Sequence, residues 1–132
     1  MQEIEFKFRE GHSRIFGKIL RPFADVILQN EGKELLYHMI VDSGADLTLI
    51  PKSVGDYLGF KIDNDSIKEV KGVGEQNVQI VLKKINLQIG NKKIEADIAW
   101  CLIEEVPLVL GRKDVFDNFE ITFKDNKTVF RY

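Results

Sequence analysis

Apolar residues in this chain recur mostly at every second position, the period of a strand with one face on a core and one in water. Ile4, Phe6 and Phe8 alternate with Glu5 and Lys7. Ile80 and Leu82 follow the same period, and after a slip Ile85, Leu87 and Ile89 carry it on. Gly90-Asn91 interrupts the pattern and Ile94, Ala96 and Ile98 resume it, which predicts a hairpin turning near Gly90 to Lys92. Arg14 to Leu28 is rich in Ile, Phe, Val and Leu but is divided by Pro22, so two strands or one bent edge strand are expected there. Helical signals are sparse. Pro51 to Leu58 reads as a short helix with Pro51 near its first turn and Gly59 ending it, and Arg112 to Asn118 is a second candidate. The expected class is all-β.

One order of residues occurs twice. Tyr37 to Gly44 is an apolar strand running into a Gly turn, with a short helix at the end of the following segment; Val106 to Arg112 has the same order of strand, glycine and helix. A duplicated half-domain related by a pseudo-two-fold axis accounts for the echo, and so does the commonness of that order.

Size and charge narrow the classes. With 132 residues, 44% of them hydrophobic, the chain has the length of one ordinary domain, and no linker composition divides it, so residues 1–132 are read as a single domain. Its 19 basic and 21 acidic residues are spread along the chain and leave a formal charge of −2. That gives no basic stripe for nucleic acid or an anionic membrane surface. Cys101 is the lone cysteine, which excludes an intramolecular disulfide and a cysteine-based metal cluster, and it reads as a small core residue. No apolar run has the length of a spanning helix and the N-terminus lacks the pattern of a signal peptide, so a soluble, cytoplasmic protein is expected.

Several chemistries fail on their residues. Gly72-Val73-Gly74 lacks the third glycine of a dinucleotide fingerprint. Asp63-Asn64-Asp65 opens like a calcium loop but continues with Ile67 and Lys68 where oxygen ligands belong. His12 and His38 have no partner at zinc-ligand spacing, and Trp100 reads as core or cleft wall. Neither a metal nor a cofactor is expected.

The stretch Val41-Asp42-Ser43-Gly44-Ala45-Asp46 places an acid and a glycine where a buried strand would carry neither. Ile40 to Ala45, followed by Leu49-Ile50-Pro51 and Leu58-Gly59, resembles the catalytic motif of the retropepsin-like aspartic proteases, single-domain relatives of the retroviral enzymes. Lys71-Gly72-Val73-Gly74-Glu75 resembles their glycine-rich flap, with fewer glycines than the retroviral pattern. Leu108-Val109-Leu110-Gly111-Arg112 resembles the segment before their C-terminal helix, and Phe119 to Phe123 the terminal strand. The resemblance covers Leu36 to Phe123. It implies a closed acid-protease-like barrel with one or two short helices, one lobe per chain, active as a homodimer on a peptide or protein substrate.

The chemistry stands independently of the name. Two carboxylates about 3 Å apart cannot both ionise easily, so they share a proton. The charged one takes a proton from a water attacking the scissile carbonyl, and the protonated one hydrogen-bonds the carbonyl oxygen. This chain offers one such acid, Asp42; Leu110, before Gly111, is not an acid, so the partner acid is expected to be Asp42 of a second copy on a two-fold axis. The resemblance implies further roles: Ser43 bonding across the axis, Gly44 and Ala45 keeping the wall close to substrate, Asp46 and Arg112 as a charged couple, and Gly72, Val73 and Gly74 as the flap. Val41, Leu47, Leu49, Ile50, Val73 and Leu108 are the expected apolar walls. The apolar termini, Ile4 to Phe8 and Phe123 to Tyr132, either interleave with those of a second chain or complete the monomer's own barrel. Function divides between an aspartic endopeptidase and a catalytically silent domain of the same fold that binds peptide or dimerises.

Overall fold

The computed structural model describes residues 1–71 and 77–132. Among these residues twelve strands run in chain order: β1 (Glu3–Lys7), β2 (Arg9–Ser13), β3 (Gly17–Arg21), β4 (Phe23–Asn30), β5 (Lys33–Val41), β6 (Thr48–Ile50), β7 (Ile67–Lys71), β8 (Asn77–Ile89), β9 (Lys92–Cys101), β10 (Val109–Leu110), β11 (Glu120–Lys124) and β12 (Lys127–Arg131). One short helix, α1 (Lys52–Tyr57), follows β6. Gly59, at φ +83°, ends it in the left-handed conformation that glycine adopts at little cost.

Six strands close a barrel in the order β4, β5, β10, β6, β9, β8, with β8 returning to β4. Closure removes the free edges that an open sheet of this length would expose. Two of its pairings are parallel: β5 beside β10, and β6 beside β9. The strand after each of β5 and β9 thus crosses to pair with the other, which gives the repeated strand-glycine order a structural counterpart. Val26, Leu28, Met39, Ile50, Leu87, Ile98 and Leu110 are fully buried inside. A three-stranded sheet, β1-β12-β11, completes the chain's own core. Its Phe6 and Phe119 meet buried Phe130 edge to face at 5.9 and 5.4 Å, a favourable aromatic geometry. Tyr132 Oη accepts a hydrogen bond from Asn91 N at 2.9 Å and so ties the C-terminus to the β8–β9 turn. That turn is the expected one, with Gly90 at φ +60° and Ile89 opposite Lys92. Within the chain, the two termini pair with each other in the separate β1-β12-β11 sheet and not in the barrel, where one of the two expectations had them.

Three local expectations are corrected. The slip after Leu82 does not exist, because β8 and β9 keep one register from Ile80–Cys101 to Ile89–Lys92. Val81, Ile85, Leu87 and Ile89 face the barrel core, while Val78 and Ile80 lie on the opposite face under a second apolar cluster and Leu82 is exposed. Two buried faces on one strand imitate a change of phase. Arg112 to Asn118 forms successive turns, not a helix. Asp114, at φ +65°, leaves the helical region and its carboxylate accepts from Asp97 N at 2.9 Å. Arg14 to Phe16, expected within a strand, forms a hairpin tip, whereas Pro22 divides two strands, β3 and β4, the first of the two alternatives expected.

Candidate active site

β5 ends at Val41 and releases Asp42 at the mouth of a cleft. The backbone around it is fixed from both sides. Asp42 N donates to Leu110 O and Ile40 N to Leu108 O, both at 3.0 Å, so β5 and β10 end side by side. Beyond Asp42 the chain folds back: Gly44 N donates to the Asp42 carboxylate at 2.9 Å and Ala45 N to Asp42 O at 3.2 Å. The carboxylate is thereby oriented while remaining exposed, as are Ser43 and Gly44.

The loop is clamped by the Gly-Arg segment. Arg112 N donates to Ala45 O at 2.9 Å and Lys113 N to Asp46 O at 3.0 Å, and the guanidinium of Arg112 pairs with the Asp46 carboxylate. The expected couple is thus present. Its side chains are 51% and 84% exposed, so water screens the attraction and the pair's main effect is to hold position. Below it, Thr48 is fully buried and its hydroxyl accepts from Gly111 N at 3.0 Å. Thr48 was not picked out from the sequence, although a threonine at a core-facing position of an apolar strand is a signal for such a bond.

Further out, Lys113 bonds Asp97 at 2.5 Å. That bond and the charges of Lys113 and Lys84 hold the Asp97 carboxyl below its usual range, and Asp97 in turn raises Lys113. Glu104 caps α1 by accepting from Ser53 N at 2.9 Å and from its hydroxyl, which ties the β9–β10 connection to the helix. Trp100 is core, with its Nε1 donating to Lys52 O at 3.1 Å beneath α1.

The cleft encloses about 590 Å³. Leu47 and Leu49 line it as expected, together with Asp42, Gly44, Ala45 and Asp46. Val41 and Ile50 do not: strand alternation turns both into the core cluster, and Leu108 packs against that cluster too. Further apolar wall comes from Val78, Ile80, Ala99, Cys101, Val106 and Val109, among others. Burial pushes the Cys101 thiol up to about 11, so it is a neutral wall residue at physiological pH. Gly72, Val73 and Gly74 lie outside the described residues. β7, which leads to them, brings Val70 and Lys71 to the cleft rim.

The retroviral aspartyl protease family model matches residues 19–123. The chain belongs to that family. Among solved structures, a retropepsin-like aspartic protease from Rickettsia conorii is similar over 98% of both chains, with 16% identity and a TM-score of 0.64. The EIAV protease, complexed with the inhibitor HBY-793, is similar over 74% of this chain and 86% of its own, with 20% identity and a TM-score of 0.56. Comparison with curated proteins finds no match. This retropepsin-like chain thus shares the fold at low identity. No helix among its described residues is long and apolar enough to cross a membrane.

Proposed function

We propose that this chain, as one domain spanning residues 1–132, is an aspartic endopeptidase whose active site forms between two copies, each supplying Asp42. The observation that carries the proposal is the placement of Asp42. Its carboxylate is exposed and oriented by Gly44 N at 2.9 Å, at the mouth of a 590 Å³ cleft with apolar walls. Ser43, beside it on the exposed loop, bonds across the axis in this reading, and Gly44 and Ala45 let the substrate backbone come close. An extended peptide pairs with β7 and the Gly72-Val73-Gly74 flap by strand addition, its apolar side chains entering the cleft. One Asp42 takes a proton from the attacking water, the other donates a hydrogen bond to the carbonyl oxygen, and that proton then passes to the leaving amine. This sequence of steps requires no metal or cofactor, and the setting proposed for it is cytoplasmic.

The test is cleavage of a peptide library across pH by the wild-type chain and by Asp42→Asn, with pepstatin as a probe. Expected are a bell-shaped profile, apolar residues on both sides of the cut, inhibition by pepstatin, and loss of turnover in a folded Asp42→Asn chain. Substantial turnover by clean Asp42→Asn protein refutes the proposal. Peptide binding without cleavage by the wild type favours the silent binding domain instead.

A further inference from the structure

The hairpin from Arg9 to Arg21 has no part in the chemistry above, and its surface is unaccounted for. β2 and β3 form a two-stranded sheet of their own, and none of its residues is buried. One face, through Gly11, Ile19 and Arg21, is half-buried and the other is exposed, and a two-stranded ribbon is marginal in water on its own. Its tip is nevertheless set: Ser13 Oγ accepts from Ile15 N and from Phe16 N, each at 3.2 Å, and Gly17 turns at φ +73°. Ile15 and Phe16 are held outward at 84% and 77% exposure, with Leu20 at 49% nearer the root. At the root, Arg21 Nε is buried with no acceptor among the described residues.

Position and charge select the occupant. Pro22, directly after the ribbon, accepts from Val41 N at 2.8 Å, one residue before Asp42. Where two Asp42 carboxylates share a proton on an axis, the root of each ribbon lies within roughly 15 Å of that axis. Five extended residues span about 17 Å, long enough to cross to the other copy. Arg9, Arg14, Lys18 and Arg21 against Glu10 give the ribbon a net +3, which leaves −5 on the rest of a chain whose total is −2. Asp46, Glu104 and Glu105, beside or near the cleft, belong to that acidic remainder. A second copy therefore complements the ribbon in charge as well as in reach.

We propose that the β2–β3 ribbon is an arm that clasps a second copy of this chain, burying the Ile15–Phe16 tip on it. The inference rests on the homodimeric reading above and assigns the contact to an internal hairpin, since within the chain the termini pair with each other. Sedimentation equilibrium on the full chain tests it, comparing wild type with the double variant Ile15→Ser, Phe16→Ser and with the double variant Arg14→Glu, Lys18→Glu. Both are expected to raise the dimer dissociation constant at least tenfold, with the melting of the dilute monomer unchanged. Added salt weakens the wild-type dimer more than the charge variant, and cleavage returns when either variant is concentrated. The charge variant keeps the test open if the tip variant misfolds. A wild-type dimer indifferent to both variants overturns the arm and leaves the homodimer standing. A tip variant that dimerises normally but loses cleavage of protein substrates, while cleaving short peptides, places the tip on the substrate and also overturns it. A wild-type chain that stays monomeric at every concentration overturns the arm and the homodimeric reading together.

Discussion

Alanine at Gly111 is the most direct perturbation of the crossing that holds the active-site loop. A Cβ there would lie 2.8 Å from Thr48 N and closer still to the carbonyl group of Leu47. All of these are backbone atoms, so no change of rotamer relieves the overlap. Either β10 or the loop through Asp46 must move, and the buried bond from Gly111 N to Thr48 Oγ1 is stretched or lost. Overpacking of this kind costs about 1–3 kcal/mol, and a buried N–H left without its acceptor costs about 1–3 kcal/mol more. A total of about 2–6 kcal/mol lowers the melting midpoint of a domain this size by on the order of 10 °C. Circular dichroism melts at one fixed protein concentration measure it, since association also shifts the midpoint. Gly44→Ala serves as the control: its Cβ would meet Asp42 Oδ1 alone, at 3.3 Å. That variant is expected to melt close to wild type and to lose cleavage, because the contact falls on the carboxylate. A Gly111→Ala midpoint within about 2 °C of wild type refutes the steric argument.

Other outcomes follow from the same contacts. Cys101, its thiol raised to about 11 by burial, is expected to resist iodoacetamide in the folded chain at neutral pH and to react quickly in denaturant; equal rates by mass spectrometry contradict its placement. Asp97 is depressed in the folded state, so its bond to Lys113 contributes stability above the unfolded carboxyl value and loses it as pH falls through the folded one. Lys113→Ala is therefore expected to melt slightly below wild type at neutral pH and to converge with it in acid, and a gap that widens on acidification contradicts the assignment. Deleting Asp125 to Tyr132 removes the middle strand of β1-β12-β11 together with buried Phe130. The dilute monomer itself is expected to lose stability by several kcal/mol, whereas a deletion that affects dimerisation alone, read by melting against sedimentation, contradicts the intrachain sheet.

Strands were legible wherever one face met the core and the other met water. Ile94, Ala96 and Ile98 are buried as their alternation requires, and the Gly90 turn lies where the pattern breaks. Period-two reasoning fails where both faces are covered. Ile80 and Val81 are adjacent and both buried, one beside the cleft and one in the barrel core, so the run through Leu82 reads as a slip that the register does not contain. The same limit displaced the cleft walls. Proximity to Asp42 in the sequence selected Val41 and Ile50, which alternation turns inward, while Ile80, Ala99 and Val109 arrive from strands far along the chain. Asp46 and Arg112 were found because a charged pair at those positions belongs to a recognisable pattern; Thr48 was passed over because its bond partner, Gly111 N, is a backbone atom with no mark in the sequence.

The crossing also bears on why one chain would need another. Val109 lies level with Ile40 and Leu110 with Val41, so the residue level with Asp42 is Gly111. Gly111 carries no side chain, and Leu110 before it is apolar and fully buried, so the place beside Asp42 holds no second carboxylate. It is also the place where any Cβ would run into the backbone of Leu47 and Thr48. The close approach that clamps the Asp42 loop therefore excludes a side chain, and with it a carboxylate, from the strand position beside Asp42. In the proposed reaction the second carboxylate comes from a second copy, where a two-fold axis through the exposed loop would supply the same residue in the same setting. The contact that fixes the Asp42 loop thus also keeps the strand beside it bare, which leaves the face of that loop open to the second copy that the proposed mechanism calls for.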